Sequence, residues 1–172
     1  MKQTTQLRQL LAQGRLVVAP GCWDPFSAKV LHWLGFSAAY IGGHDTGAHL
    51  GIPEPLLSLT EQATVSGAVA RAVEVPVITD GGAGWGDVVH TARCVQAFEE
   101  AGVAGIHIED QVFPKITRQH RPKEHGKTVF QVIGEKEFAR KIRPKTDKRQ
   151  TIVSINLVIS KSSIELLSNA DV

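Results

Sequence analysis

The sequence has two cysteines, Cys22 and Cys94. Two thiols cannot build a disulfide scaffold or a cysteine-rich zinc cluster, so a reduced intracellular setting is expected. No run approaches the ~20 apolar residues that span a bilayer. The opening residues MKQTTQLRQLLAQGR lack the apolar stretch of a secretory signal. A cytoplasmic protein with no membrane partner is the expectation. Aromatics make up only 6% of the chain, but 42% of residues are hydrophobic. That is too much apolar material for an intrinsically disordered chain.

Acidic residues are scarce where basic ones crowd. Residues 115–149 carry 12 Lys/Arg against 4 Asp/Glu, whereas residues 1–114 carry 6 against 11. The overall charge of +2 therefore describes neither part. A basic block serves a polyanion, a small anionic substrate, or merely a solvated surface. No RNP, zinc-finger or helix-turn-helix pattern accompanies it, so nucleic acid is not the expected partner.

What the sequence does have is glycine, 16 in 172 residues, and a recurring strand–helix alternation. Residues 4–13 place Leu7, Leu10 and Leu11 on one helical face, with Gly14 as the stop. LVVAP (16–20) is a short apolar run that predicts a strand buried on both faces. Residues 27–34 have helical spacing with Val30, Leu31 and Leu34 inward. AAYI (38–41) predicts a second strand, and a long glycine-rich loop follows it. Ser58 and Glu61 have capping-box spacing and open a helix with Val65 and Val69 inward. VPVIT (75–79) predicts a third strand. Asp87 caps a helix that buries Val88, Ala92, Val95 and Phe98, and AGIHIE (104–109) predicts a fourth strand. Four strand–helix steps in about 110 residues imply parallel strands joined by helices. Beyond Glu109 the order changes to a polar, basic loop over 110–130. A helix over 135–143 is stopped by Pro144, a charged linker covers 144–150, and residues 151–160 have β propensity.

In parallel α/β folds ligands bind at the carboxyl ends of strands. All four expected ends carry acids, glycines or both: APGCWD, YIGGHD, TDGGAGWGD and IEDQVFPK. Asp80 and Glu109 would end adjacent strands. Two carboxylates there suit Mg²⁺, which takes one or two carboxylates and leaves positions for substrate oxygens. The plainer alternative has Asp80 capping a turn and Glu109 pairing with Lys115. Gly42 and Gly43 offer backbone N–H groups to an anion, or form a tight turn. GGAGWG (81–86) lacks the order of a dinucleotide fingerprint. His107 falls inside a strand and reads as an interior residue. His120 and His125 lie in the basic loop, as acid–base groups or ordinary loop histidines. Cys22 reads as a small buried residue rather than a nucleophile.

The segments APGCWDPFSAKVLHWLGFSAAYIGG, HLGIPEPLLSLTE, VPVITDGGAGWGD and AGVAGIHIEDQVFPK together resemble the isocitrate lyase/phosphoenolpyruvate mutase superfamily. The resemblance runs in order from about Gln13 to Arg143, and its EDQ-x-x-P-K segment is quite specific. It implies a parallel (β/α) TIM-barrel fold, usual assembly into homo-oligomers, and Mg²⁺. The implied chemistry makes or breaks C–C or C–P bonds in 2-oxo or 2-hydroxy carboxylic acids. The resemblance further implies that Tyr40, Gly42 and Gly43 bind the substrate carboxylate and that Asp80 and Glu109 hold Mg²⁺. Glu54 matches an acidic position on the mobile loop, and Lys115 opens the catalytic loop.

The sequence departs from the family pattern in three places. Gly82 stands where a second metal-associated Asp is common. Thr117 replaces the cysteine of the Lys-x-Cys-Gly-His loop, which favours a branch with histidines in the loop. After Arg143 the resemblance lapses. The expectation is a barrel cut to about its first four or five strand–helix units over residues 1–143, with a divergent tail over 144–172. Function is then either Mg²⁺-dependent lyase chemistry on a small anionic carboxylic acid or a non-catalytic role through subunit association.

Overall fold

The computed structural model describes residues 1–114, 123–124, 127–128, 132–146 and 152–155. Four parallel strands form one sheet in the order β1 (Ala39–Ile41), β2 (Val77–Asp80), β3 (Gly105–Ile108), β6 (Ile152–Ile155). The register pairs Tyr40 with Ile78, Asp80 with His107, and His107 with Ser154. A two-stranded antiparallel hairpin, β4 (Lys123–Glu124) and β5 (Lys127–Thr128), lies in the basic region.

Helices cross between these strands because the sequence caps them where they must start. In α2 (Pro25–Trp33) the Asp24 carboxylate accepts the Ser27 N–H at 2.7 Å, and Pro25 supplies a preset first turn. In α4 (Leu59–Ala72) the Ser58 hydroxyl accepts the Glu61 N–H at 3.2 Å while Glu61 accepts the Ser58 N–H at 2.8 Å. In α5 (Val88–Ala101) the Asp87 carboxylate accepts the Val89 and His90 N–H groups. Each such cap stabilises its helix by ~1 kcal/mol.

One face of the sheet builds the core. Ile41, Val77, Ile106 and Ile108 are fully buried against Val69, Val95 and Phe98 from α4 and α5. Strand alternation turns Tyr40, Ile78, Asp80 and His107 to the other face, where each is half-buried. Packing thus sits behind the sheet and chemistry in front of it.

Four sequence expectations need correction. Residues 16–20 do not form a strand: the segment touches β1 through an isolated bridge of Gly21 to Tyr40, and Leu16 is 91% exposed. A segment with a neighbour on one side only does not bury two faces. The glycine-rich stretch after β1 is a helix, α3 (Gly43–Leu50), started by Asp45 accepting the Gly42 N–H at 3.1 Å. Its low-propensity glycines hid it, yet Gly47 is required, because a Cβ there would lie 2.6 Å from the Ile52 carbonyl oxygen. In α2, Leu31 packs against the core as expected and Ala28 is fully buried, whereas Val30 and the C-cap Leu34 point outward. Finally, α6 (Glu135–Thr146) runs through Pro144 rather than ending before it. A proline in the last turn forfeits one backbone bond without breaking the turns already made.

Candidate active site

The site forms where β1, β2 and β3 end, because each strand stops at residues that leave the sheet abruptly. Asp80 is the last residue of β2. Its Oδ1 accepts the Gly82 N–H at 2.7 Å and its Oδ2 accepts the Gly43 N–H at 3.2 Å. The turn-capping alternative for Asp80 is therefore realised, and each oxygen keeps a lone pair for another partner. Gly82 stands where the resemblance places a second Asp, and it contributes a backbone N–H in place of a negative charge.

Glu109 follows β3 directly, and its backbone N–H donates to the Gly82 carbonyl at 2.8 Å. One turn, 81–84, thus joins the two strand ends that carry the carboxylates. Gly81 is essential to it: a Cβ there would meet the His107 carbonyl oxygen at 2.6 Å.

Gly43 is the point on which the groups converge. A Cβ on it would lie 2.9 Å from Glu54 Cγ and Oε1 and 3.1 Å from Asp80 Oδ2. Glu54 opens a single 3₁₀ turn, Glu54–Leu56, with its side chain 8% exposed and in contact with His44 Nδ1. The expected mobile-loop acid is therefore tucked beneath the start of α3. Both glycine amides already have acceptors, Asp45 for Gly42 and Asp80 for Gly43.

Tyr40 reports the field of this region. Burial pushes its phenol far above the ordinary range, and the charges of Asp80, Glu109, Asp45 and Glu54 add to the shift. The Tyr40 ring lies 5.3 Å from that of His107. Burial holds the His107 imidazole below its usual range, and Asp80 opposes the shift. His107 is an interior residue, as expected, but it faces the site. Burial and the Asp45 and Asp24 charges push the Cys22 thiol up to about 12, which leaves it no nucleophile.

Beside these groups lies a cleft of about 420 Å³, its open mouth included, lined by Gly43, Glu54, Gln62, Asp80, Trp85 and Phe113. Its enclosed part is about 40 Å³, room for an ion or a water rather than for a whole organic acid, the rest being open to solvent. Sequence reasoning missed Asp45, Trp85 and Phe113. The Gly-Gly-His-Asp spacing, an N-cap with an acid at N3, was a signal for Asp45. Trp85 is set by a left-handed φ of 54° and a 2.9 Å bond from its Nε1 to the Leu57 carbonyl, which no spacing rule announces. Lys115 and His120 lie outside the described residues.

Among the described residues no three His, Cys, Asp or Glu side chains come together as a group that could hold a metal ion. The donor set nevertheless fits a hard divalent cation. It consists of oxygens only, the Asp80 and Glu54 carboxylates meet at Gly43, and an incomplete protein shell is what Mg²⁺ uses when substrate and water complete it. The residues present therefore fit the ion.

The Phosphoenolpyruvate phosphomutase family profile matches residues 7–160. The chain is 38% identical over 151 residues to 2,3-dimethylmalate lyase of Eubacterium barkeri, which covers 87% of this chain and 50% of that protein. It is 31% identical over 173 residues to a 2-methylisocitrate lyase of Aeropyrum pernix, covering 96% of this chain and 56% of that protein. Its fold superposes on phosphonopyruvate hydrolase in complex with oxalate and Mg²⁺ with a TM-score of 0.78 at 27% identity. That superposition covers 91% of this chain and 53% of the hydrolase. The chain spans about half the length of these relatives.

Proposed function

Because the chain belongs to the phosphoenolpyruvate mutase/isocitrate lyase superfamily, we propose that it serves Mg²⁺-dependent cleavage or formation of a C–C or C–P bond in a 2-oxo or 2-hydroxy carboxylic acid. The observation that carries this is the convergence of Asp80 and Glu54 on Gly43, with Glu109 bonded through its backbone N–H to the same turn that Asp80 closes.

Asp80 and Glu109 would hold Mg²⁺. Bound there, the ion would supply charge stabilisation for an oxyanion beside the substrate carboxylate. The chain's own groups do the rest. Gly43 has no side chain, which leaves the backbone approachable from the cleft. The Gly42 and Gly43 amides orient a carboxylate when they exchange Asp45 and Asp80 for it. Tyr40 stays protonated at all physiological pH and donates its O–H to an anionic ligand. Glu54, held by His44, walls the site. Lys115 and His120 are proposed as the proton-carrying groups of the loop that follows β3, and the basic residues around them as the attraction for a dianion.

The test is consumption of oxaloacetate and of branched 2-hydroxy diacids with and without Mg²⁺, in the parent and in Asp80→Asn. Turnover that requires the cation and is lost in the variant supports the assignment. Absence of cation-dependent turnover across the acid series overturns it.

A second reading is a non-catalytic role through subunit association. It is favoured by one observation: Phe26, Val30, Trp33 and Leu34 repeat on one side of α2 and are 75%, 37%, 84% and 59% exposed. Such a stripe on a surface helix is proposed to seat a second copy of the chain. Light scattering at the eluting peak together with the turnover assay separates the two cases: a monomer contradicts the association, and a multimer without cation-dependent turnover favours it over the first reading.

A further inference from the structure

A lysine is buried behind the site, where the bond-making chemistry does not reach it. Lys141 lies on α6, which packs against α5, and is only 4% exposed. Its Nζ donates to the Ala83 carbonyl at 2.5 Å across 58 residues of sequence. Burial holds the ammonium below the usual lysine range, against the opposing charges of Glu137 and Asp87. An ammonium is not buried without cost unless strong partners compensate. A methionine would fill the same space without that cost, so the donor itself is what the position uses.

Ala83 lies in the turn that joins Asp80 to Glu109. Within that turn Gly81 N–H donates to the His107 carbonyl at 2.7 Å, Gly82 N–H to Asp80 Oδ1 at 2.7 Å, and Gly84 N–H to the Gly81 carbonyl at 2.9 Å. Glu109 N–H returns to the Gly82 carbonyl at 2.8 Å. These bonds fix the turn to its own strands. The Lys141 bond fixes it from outside, to a helix that enters the fold after the basic loop. The start of that helix is tied back to the same region, since Ile133 N–H donates to the Asp110 carbonyl at 2.8 Å.

We propose that Lys141 is a positioning residue that clamps the 81–84 turn through the Ala83 carbonyl and so holds Asp80 and Glu109 in register as a pair of cation ligands. The ligand half of this inference rests on the Mg²⁺ reading above; the clamp half does not. It touches neither substrate nor ion. Its effect is to remove the freedom of a turn whose glycines, with left-handed φ of 46° at Gly82 and 76° at Gly84, would otherwise sample many conformations.

The test uses the full chain and three variants: Lys141→Met, Lys141→Arg, and Lys136→Met as an exposed control on the same helix. Amide hydrogen exchange is followed in the metal-free proteins. In Lys141→Met the Gly82, Gly84 and Glu109 amides should exchange roughly tenfold faster or more, with α4 and α5 amides unchanged. Lys141→Arg, which keeps a donor, should restore part of the protection, and Lys136→Met should match the parent. Unchanged rates at the turn in Lys141→Met overturn the clamp, as does a uniform loss of protection in α5 and α6, which would mark a packing role only. Mg²⁺ titration by calorimetry on the same samples reads the second half. Lys141→Met should bind the ion roughly tenfold more weakly than the parent. A parent chain that takes up no Mg²⁺ while Lys141→Met still loosens the turn refutes the metal reading and leaves the clamp standing.

Discussion

A single carboxylate, Asp80, does two jobs at residue scale. It closes the turn through Gly82 and Gly43, and it presents the remaining lone pairs to the cleft. Asp80→Asn disturbs both, because its amide oxygen accepts one N–H while its NH₂ group faces the other donor and the charge is gone. The variant should lose about 1–3 kcal/mol of stability and bind Mg²⁺ on the order of tenfold more weakly or worse, read by denaturant titration and calorimetry. Gly43→Ala tests the packing around the same carboxylate. Its methyl would press on Glu54 and Asp80 at 2.9 and 3.1 Å, costing about 1–3 kcal/mol in denaturant titrations. Cys22 makes a third case. Its thiol is raised from 9.0 to about 12 in the fold, so the unfolded chain releases that proton first. The sign follows: stability is unaffected below about pH 9 and declines between pH 9 and about 12. At pH 8 Cys22 and Cys94, both buried, should react with a thiol reagent only after denaturation.

Elements carry the next layer, and the caps are where sequence and structure agree best. The Ser58–Glu61 box forms as its spacing promises. Ser58→Ala should cost ~1 kcal/mol in urea unfolding. Two bonds from Ser58 hold the Glu61 carboxyl below its usual range. A depressed carboxyl adds stability above its unfolded pKa and loses it as pH falls through the folded value, so Ser58→Ala should also flatten the acid limb of stability against pH. Three strands and the Asp87 cap were equally legible, because β-branched runs and short polar caps signal locally. Residues 16–20 misled for the converse reason: an apolar run shows that burial is favourable but not that two neighbouring strands exist. The α3 helix escaped notice because its glycines serve close contacts with Ile52 and Glu54, a tertiary need with no local pattern. Asp80 and Glu109 were legible as strand-end acids, whereas Trp85 and Lys141 depend on bonds to carbonyls distant in sequence.

At the scale of the whole molecule the sheet has a packed back and a half-open front. Ile41, Val77 and Ile106 are sealed behind it, while Tyr40 and His107 in front remain half-buried. The α2 stripe adds a second incompletely covered surface. If a second copy seats there, the parent should elute above monomer mass and Phe26→Ser with Trp33→Ser should shift it to monomer; a monomeric parent contradicts that arrangement. The central claim concerns the front of the sheet, where a cation and a small diacid would share the Asp80–Glu109 ends. Calorimetric titration of oxalate into the full chain, with Mg²⁺ present and absent, tests it most directly. Saturable oxalate binding that requires Mg²⁺ and disappears in both Asp80→Asn and Glu109→Gln is the expected result. Oxalate binding that ignores the cation, or persists in those two variants, would contradict it.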